Sequence, residues 1–249
     1  MIISIEFNKM LIINQLTKTL IVVHIKMLIR FGVKTIEKIF FRKKTLLLCE
    51  MIFDINTSPN LLLDVPGQAT RILLHSCCAP CSSAVIECML ENSLTPTVFY
   101  FNPNIYPLTE YERRKAENIR YVESLHLHFV DGDYDHDRWK ENVKGLENEP
   151  ECGQRCLNCF KIRLISTAQY SADHGFTVFT TTLASSRWKD LEQIAEAGHY
   201  AASLYPNVTF WAQNWRKGGL SNRRNELIKL HGFYNQKWCG CEYSNKIKN

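Results

Sequence analysis

The chain has 249 residues, enough for one sizeable core with a small appendage, and an ordinary globular composition: 45% hydrophobic, 22% charged, no repeat and no low-complexity tract. Its formal charge of +5 is uneven, because residues 1–50 hold nine Lys/Arg against three Glu and the remainder holds twenty-one against twenty-two acids; a broadly basic, nucleic-acid-coating domain is excluded. Lys9, Lys18, Lys26, Arg30 and Lys34 interrupt the apolar amino end, so no run approaches the ~20 uncharged residues of a membrane span and no secretory signal shape is present.

A cytoplasmic protein without a stable membrane partner is therefore expected. In that compartment its ten cysteines read as metal ligands or redox dithiols rather than as a disulfide scaffold.

Residues 1–50 form a basic, Ile- and Leu-rich extension of weakly amphipathic character. Such a stretch would suit an interfacial membrane helix. The reading adopted is an over-extended start, with translation beginning at Met51, because a domain pattern begins only at Arg71. Residues 51–249 are taken as a single domain, and no chemistry is placed before it.

From Arg71 the pattern alternates between strands and helices. Ile72–His75 reads as a buried strand, with a helix from Ser82 to Glu91 after it, since Pro80 is expected to break any earlier helix. Thr97–Phe101 is a second strand and Glu110–Leu125 a charged helix. Leu127–Val130 is a third strand, stopped by Asp131-Gly132-Asp133. A cysteine-bearing loop is expected to lead into a helix from Phe160 to about His174. Phe176–Leu183 is a fourth strand, about 190–202 a helix, Val208–Trp211 a fifth strand, and Ser221–His231 a last helix. The sum is an α/β fold: a mainly parallel sheet flanked by helices, with its chemistry at one rim beyond the strand carboxyl ends.

Seven cysteines fall into three groups. Cys77, Cys78 and Cys81 lie between a strand and a helix amino end, which favours thiolates. They suit a redox CxxC pair, a zinc half-site or part of a larger cluster. Cys156 and Cys159 supply a second half-site, and four thiolates from two half-sites serve zinc and a [4Fe–4S] cluster equally. Cys239-Gly240-Cys241 holds two sulfurs near the upper Cα limit for a disulfide; a bond there would be strained and easily reduced, which suits a redox dithiol better than a brace. One metal ligand beside a bystander thiol is the alternative. Cys88 reads as a core residue, Cys49 as inert, and Cys152 as a free thiol near Cys156.

The ordered motifs His75-Ser76-Cys77-Cys78-Ala79-Pro80-Cys81, Asn102-Pro103-Asn104-Ile105 with Glu110-Tyr111, and Arg155-Cys156-Leu157-Asn158-Cys159-Phe160 resemble the QueH family, the cobalamin-independent epoxyqueuosine reductases. Thr180 to Ser186, Trp215-Arg216-Lys217 with Gly219, and Tyr234 to Cys241 extend the resemblance, which runs from about Arg71 to Ser244. It implies an adenine-nucleotide-hydrolase-like (HUP, Rossmann-like) fold. It also implies a [4Fe–4S] cluster on Cys77, Cys78, Cys156 and Cys159, a further mononuclear iron with Cys81 nearby, a redox-active disulfide between Cys239 and Cys241, and no cobalamin. The implied reaction is reduction of epoxyqueuosine to queuosine at the wobble position of tRNA anticodons, fed by an external electron donor.

Turning an epoxide into an alkene consumes two electrons and two protons and releases water, and no ordinary side chain supplies electrons. His75, Asp131 and Asp133 are candidate proton donors. Arg216, Lys217, Arg223 and Arg224 are candidates for phosphate contact, and Trp215 or Tyr234 for stacking on a splayed base. Ser185-Ser186-Arg187 with Lys189 reads as shaping the substrate pocket, with Asp190 as a helix cap the bland alternative. A nucleotide-dependent tRNA sulfurtransferase on the same fold would need a Ser-Gly-Gly-x-Asp-Ser phosphate loop where this chain has cysteines. The remaining alternative is a zinc-stabilised RNA-binding module without redox activity.

Overall fold

A computed structural model describes residues 61–244. The basic extension, Cys49 and the Met51 start lie outside the described residues. Five strands, β1 Arg71–His75, β2 Thr95–Tyr100, β3 Phe129–Asp131, β4 Val178–Thr181 and β5 Thr209–Phe210, form an all-parallel sheet in the order β3-β2-β1-β4-β5. Six α-helices accompany it: α1 Ala79–Glu91, α2 Leu108–Ser124, α3 His136–Asn142, α4 Gln154–Asp173, α5 Leu191–Ser203 and α6 Leu220–His231. The α/β class and the parallel sheet match the sequence expectation.

Strand β1 occupies the centre because its run Ile72-Leu73-Leu74 can be buried on both faces, as a parallel strand requires. Alternation sends Ile72 and Leu74 toward the layer of α1, α2 and α6, while Leu73 meets α4 and α5. All three are fully buried, each contributing about 1.5–3 kcal/mol. The sheet order reverses direction between β1 and β4. The crevice beyond their carboxyl ends is where open α/β sheets gather ligands, and Cys77 follows β1 directly into it.

Several element limits differ from expectation for identifiable reasons. Helix α1 begins at Ala79 rather than Ser82, because Pro80 sits in the first turn, where its missing N–H costs nothing. Helix α4 begins at Gln154, so Cys156 and Cys159 stand on helical turns and not in a loop. Strand β4 stops at Thr181, whose hydroxyl accepts from the Leu183 amide and starts a 3-10 turn over Thr182–Ser185. Helix α3 was not anticipated; Asp135 caps it by accepting from the Arg138 amide.

Helix α5 approaches β5 closely at Gly198, where an added Cβ would stand 2.2 Å from the Phe210 ring. Gly198→Ala should therefore cost about 1–3 kcal/mol through overpacking, measured as a lower Tm and denaturation midpoint with an unchanged circular dichroism spectrum. A variant as stable as the parent would mean the two elements separate freely.

Candidate metal and thiol site

The carboxyl end of β1 is fixed by buried polar contacts before any cysteine is reached. The Asn118 amide donates to Ser76 Oγ at 2.6 Å, Ser76 Oγ contacts Ser82 Oγ, and Ser82 Oγ donates to the Cys78 carbonyl at 2.8 Å. Asn102 Nδ2 donates to the Ser76 carbonyl at 2.9 Å. His75 is fully buried, and burial pushes its pKa down to about 3, with the nearby Arg163 adding to the effect. A carbonyl can only accept, so Nε2–H donates to Phe101 O, and Nδ1 accepts from the Thr181 hydroxyl at 2.8 Å. Both ring nitrogens are committed. His75 is a neutral structural tie and not the proton donor considered from sequence.

On that base the sulfurs of Cys77, Cys78 and Cys81 lie within 4.8 Å of one another at the amino end of α1. Cys77 is held well below the usual thiol range because Cys78 and Cys81 hydrogen-bond to its sulfur, with help from Arg163 and Thr182. Cys78 is pushed up by burial, and Cys81 is raised to about 12, chiefly by its hydrogen bond to Cys77. Gln236 Nε2 donates to Cys78 Sγ at 2.6 Å, and the Cys77 amide donates to Thr182 Oγ1 at 3.1 Å. Cys81 thus shares one compact trio with Cys77 and Cys78.

Cys156 and Cys159 stand outside that trio, on the first turns of α4. Burial raises both, Cys156 to about 11. The Cys152 amide donates to Cys156 Sγ at 3.3 Å, while Cys152 itself is an exposed free thiol. One helical turn beyond Cys159, the buried Arg163 donates to Asn102 Oδ1 and acts electrostatically on Cys77, Cys159 and His75. The i, i+3, i+7 spacing of Cys156, Cys159 and Arg163 places them on one helix face, a signal hidden while the segment was read as loop.

The third group docks against the same rim. Gly240 has φ +95, and a Cβ there would meet Ile105 at 2.9 Å and Arg114 at 3.0 Å. The buried Arg114, paired with Glu110 at 2.6 Å, donates to the Cys239 carbonyl at 3.1 Å, and the Tyr106 amide donates to Gly240 O at 2.9 Å. Cys239 and Cys241 are free thiols. Cys239 lies well below the usual range, lowered first by a hydrogen bond from Cys241 and then by Lys189; Cys241 is raised in turn. Cys239, Cys241 and Cys159 pack in one cluster with Trp139 and Tyr243.

Lys189 connects the groups. Burial works against its charge, but Cys239, Cys77 and Cys81 outweigh it and hold its pKa above the ordinary value. Neither Lys189 nor Arg163 has a carboxylate ion-pair partner among the described residues, and Arg163 Nε is buried without a hydrogen bond. Two cations acting on four thiols, Cys77, Cys81, Cys159 and Cys239, with no carboxylate partner among the described residues, call for an anion. Thiolates, or a thiolate-bound metal cluster, supply one.

Other sequence candidates are committed elsewhere. Arg216 Nη2 donates to the carbonyls of Ser186 and Lys189, so its guanidinium pins a loop, while Lys217 is exposed. Arg223 is buried in a bidentate pair with Glu87 at 2.6 and 2.7 Å. Arg224 is half-buried and acts on Cys81. Trp215 is 1% exposed and packs on Trp211, so it cannot stack on a base. Tyr234 lies beneath Arg113 at 3.5 Å. Asp131 is paired with Lys115 at 3.0 Å, and the Asp133 carbonyl accepts from Tyr111. Ser185 Oγ donates to the Cys81 carbonyl at 3.2 Å, and Asp190 caps α5. Cys88 is a core residue.

The family model described as Epoxyqueuosine reductase QueH matches residues 72–247. Among proteins bearing that description, one from Acinetobacter baylyi is 47% identical over 193 residues, 78% of this chain and 88% of the relative. One from Histophilus somni is 48% identical over 187 residues, 75% of this chain and 77% of its own length. A more distant relative from Thermotoga maritima is 34% identical over 176 residues, 70% of this chain and 89% of its own.

Two outcomes follow from the electrostatics. In metal-free protein at pH 7, iodoacetamide should alkylate Cys77 and Cys239 ahead of Cys78, Cys81 and Cys241. Arg163→Gln should slow labelling of Cys77 about tenfold, scored by peptide mass mapping. The folded His75 stays neutral down to about pH 3, whereas an unfolded His protonates near ~6.5. Acid therefore favours unfolding: the contribution is intact above pH ~6.5 and is lost as pH falls toward 3. Denaturation of His75→Gln should show a shallower stability slope between pH ~6.5 and ~5 than wild type.

Proposed function

The chain belongs to the QueH family of epoxyqueuosine reductases, and we propose that it reduces epoxyqueuosine to queuosine in the tRNA anticodon, the last step of queuosine biosynthesis, at the cysteine rim beyond β1 and β4. The observation that carries this reading is that cysteines of all three groups act on, or are acted on by, the buried Arg163 and the half-buried Lys189, neither of which has a carboxylate partner among the described residues.

In this reading Cys77, Cys78, Cys156 and Cys159 hold a [4Fe–4S] cluster, and Cys81, an equal member of the trio, serves the further iron. The donor set fits: soft thiolates suit iron–sulfur binding, and an anionic cluster answers the charge of Arg163 and Lys189. When bound, the cluster supplies electrons one at a time. Gln236 and the Cys152 amide hydrogen-bond to sulfurs of the ligand set, Cys78 and Cys156, the kind of contact that tunes a cluster's potential.

Cys239 and Cys241 form the redox-active pair. Cys239, lowered beside Lys189, is the thiolate of the pair, and Cys241, with its raised pKa, retains its proton; joining the two sulfurs in a disulfide releases two electrons and that one proton, and the second proton comes from solvent. Arg114 and Gly240 hold the pair at the rim. Net conversion takes two electrons and two protons into the epoxide and releases one water.

Nucleoside analysis of tRNA from cells lacking this gene should show epoxyqueuosine in place of queuosine, and unchanged queuosine would remove the assignment where no cobalamin-dependent enzyme is present. Protein purified without oxygen should be brown, with iron and acid-labile sulfide; colourless, zinc-loaded protein would favour a structural RNA-binding module. Cys239→Ser should bring turnover to background while iron and sulfide remain bound. Loss of the iron would move Cys239 into the ligand set.

A further inference from the structure

We propose that Trp188 is the platform on which a base of the substrate's single-stranded anticodon loop stacks, with Arg187 and Lys217 meeting the flanking phosphates. The inference rests on the reading of this rim as an epoxyqueuosine reductase site.

Trp188 is 71% exposed, whereas Trp139 and Trp215 are each 1% exposed and Trp211 5%. An indole left in water forgoes burial that the other tryptophans take. The loop that presents it is firmly tied. Arg216 donates to the carbonyls on either side, at Ser186 and Lys189, and the Cys152 thiol donates to the Trp188 carbonyl at 3.4 Å. The Ser186 amide donates to Leu183 O at 3.2 Å. A backbone fixed at this many points holds the indole outward by construction, so little ordering entropy is lost when a base stacks.

Position links the platform to the chemistry. The next residue, Lys189, faces Cys239, Cys77 and Cys81. A base resting on Trp188 therefore lies beside the mouth of the cysteine rim, where a neighbouring nucleotide can enter. Charge selects RNA as the occupant. The Arg187 guanidinium lies over the indole, 4.6 Å from its centroid. Lys217 is exposed beside Arg216, whose own contacts bring that segment against the loop. Neither Arg187 nor Lys217 has a carboxylate ion-pair partner among the described residues. An exposed aromatic ring, with one cation resting on one of its faces and a second beside it, neither paired with a carboxylate, is the combination that binds single-stranded nucleic acid, stacking a base on the open face while tracking its phosphates. Trp215, the tryptophan suggested by the sequence, is buried and cannot take this part.

The test compares wild-type holoprotein with Trp188→Ala and Trp188→Phe on an anticodon stem-loop RNA carrying epoxyqueuosine. Binding is followed by anisotropy, turnover by nucleoside analysis, and fold by Tm. Trp188→Ala should raise Kd and KM about 5- to 100-fold while leaving saturating kcat within about threefold, and Trp188→Phe should recover most of the loss because a π-face remains. An Ala variant that binds the RNA as tightly as wild type overturns the platform. So does one that binds normally but accepts electrons more slowly from a donor protein, which would assign this face to the donor. Wild-type protein that binds the RNA without converting it would instead overturn the reductase reading, and the Kd comparison would still decide the platform.

Discussion

A buried arginine and a half-buried lysine, neither with a carboxylate partner among the described residues, set the character of this molecule. Both Arg163 and Lys189 sit among thiols rather than acids, and an uncompensated buried charge such as that of Arg163 costs several kcal/mol. The fold tolerates them because sulfur carries the opposing charge, at the lowered thiols of Cys77 and Cys239. Seen this way, the perturbed thiols are the consequence of a site built around anionic sulfur.

The sheet determines which sulfurs can meet. Because β1 is central and the strand order reverses beside it, the turn after β1 opens directly into the crevice facing the turn after β4. Cys77 and Thr182 touch across that crevice, and Ser185 ties the β4 turn to the Cys81 carbonyl. Helix α4, packed across the face that receives Leu73, carries Cys156, Cys159 and Arg163 to the same rim. Residues more than seventy positions apart converge because parallel strands deliver every carboxyl end to one edge.

Much of this was legible in the chain. The alternation of Ile72-Leu73-Leu74 and Thr97 to Phe101 with charged helical stretches fixes a parallel sheet, and the three cysteine groups announce a thiol centre. What stayed hidden has a common cause: local signals were overridden by partners far away in sequence. Pro80 looked like a breaker but occupies the one helical position that tolerates it. Arg216 and Arg223 looked like free surface cations, yet distant carbonyls and Glu87 claim them. Trp215 and Trp188 are alike as residue types, and only the packing of Trp211 against one of them separates a core ring from an exposed one. Arg163 became meaningful only once helix α4 was known to start early enough to place it on the face of Cys156 and Cys159.

The Cys239–Cys241 loop shows how the rim gains two free thiols without losing order. The tight turn between the two cysteines needs a left-handed backbone, and Gly240 supplies it at φ +95 where Ile105 and Arg114 leave no room for a side chain. Arg114 holds the loop through the Cys239 carbonyl, so the clamp grips the backbone and leaves both sulfurs untouched. Its own charge is answered by Glu110 one helical turn away, and breaking such a buried pair costs about 3–5 kcal/mol. The two free thiols therefore stand on a peptide that is anchored without them. Backbone and sulfur are thus governed separately: Arg114 holds the peptide, while Cys241 and Lys189 set the lowered thiol of Cys239, so the loop's position does not depend on the charge its sulfurs carry.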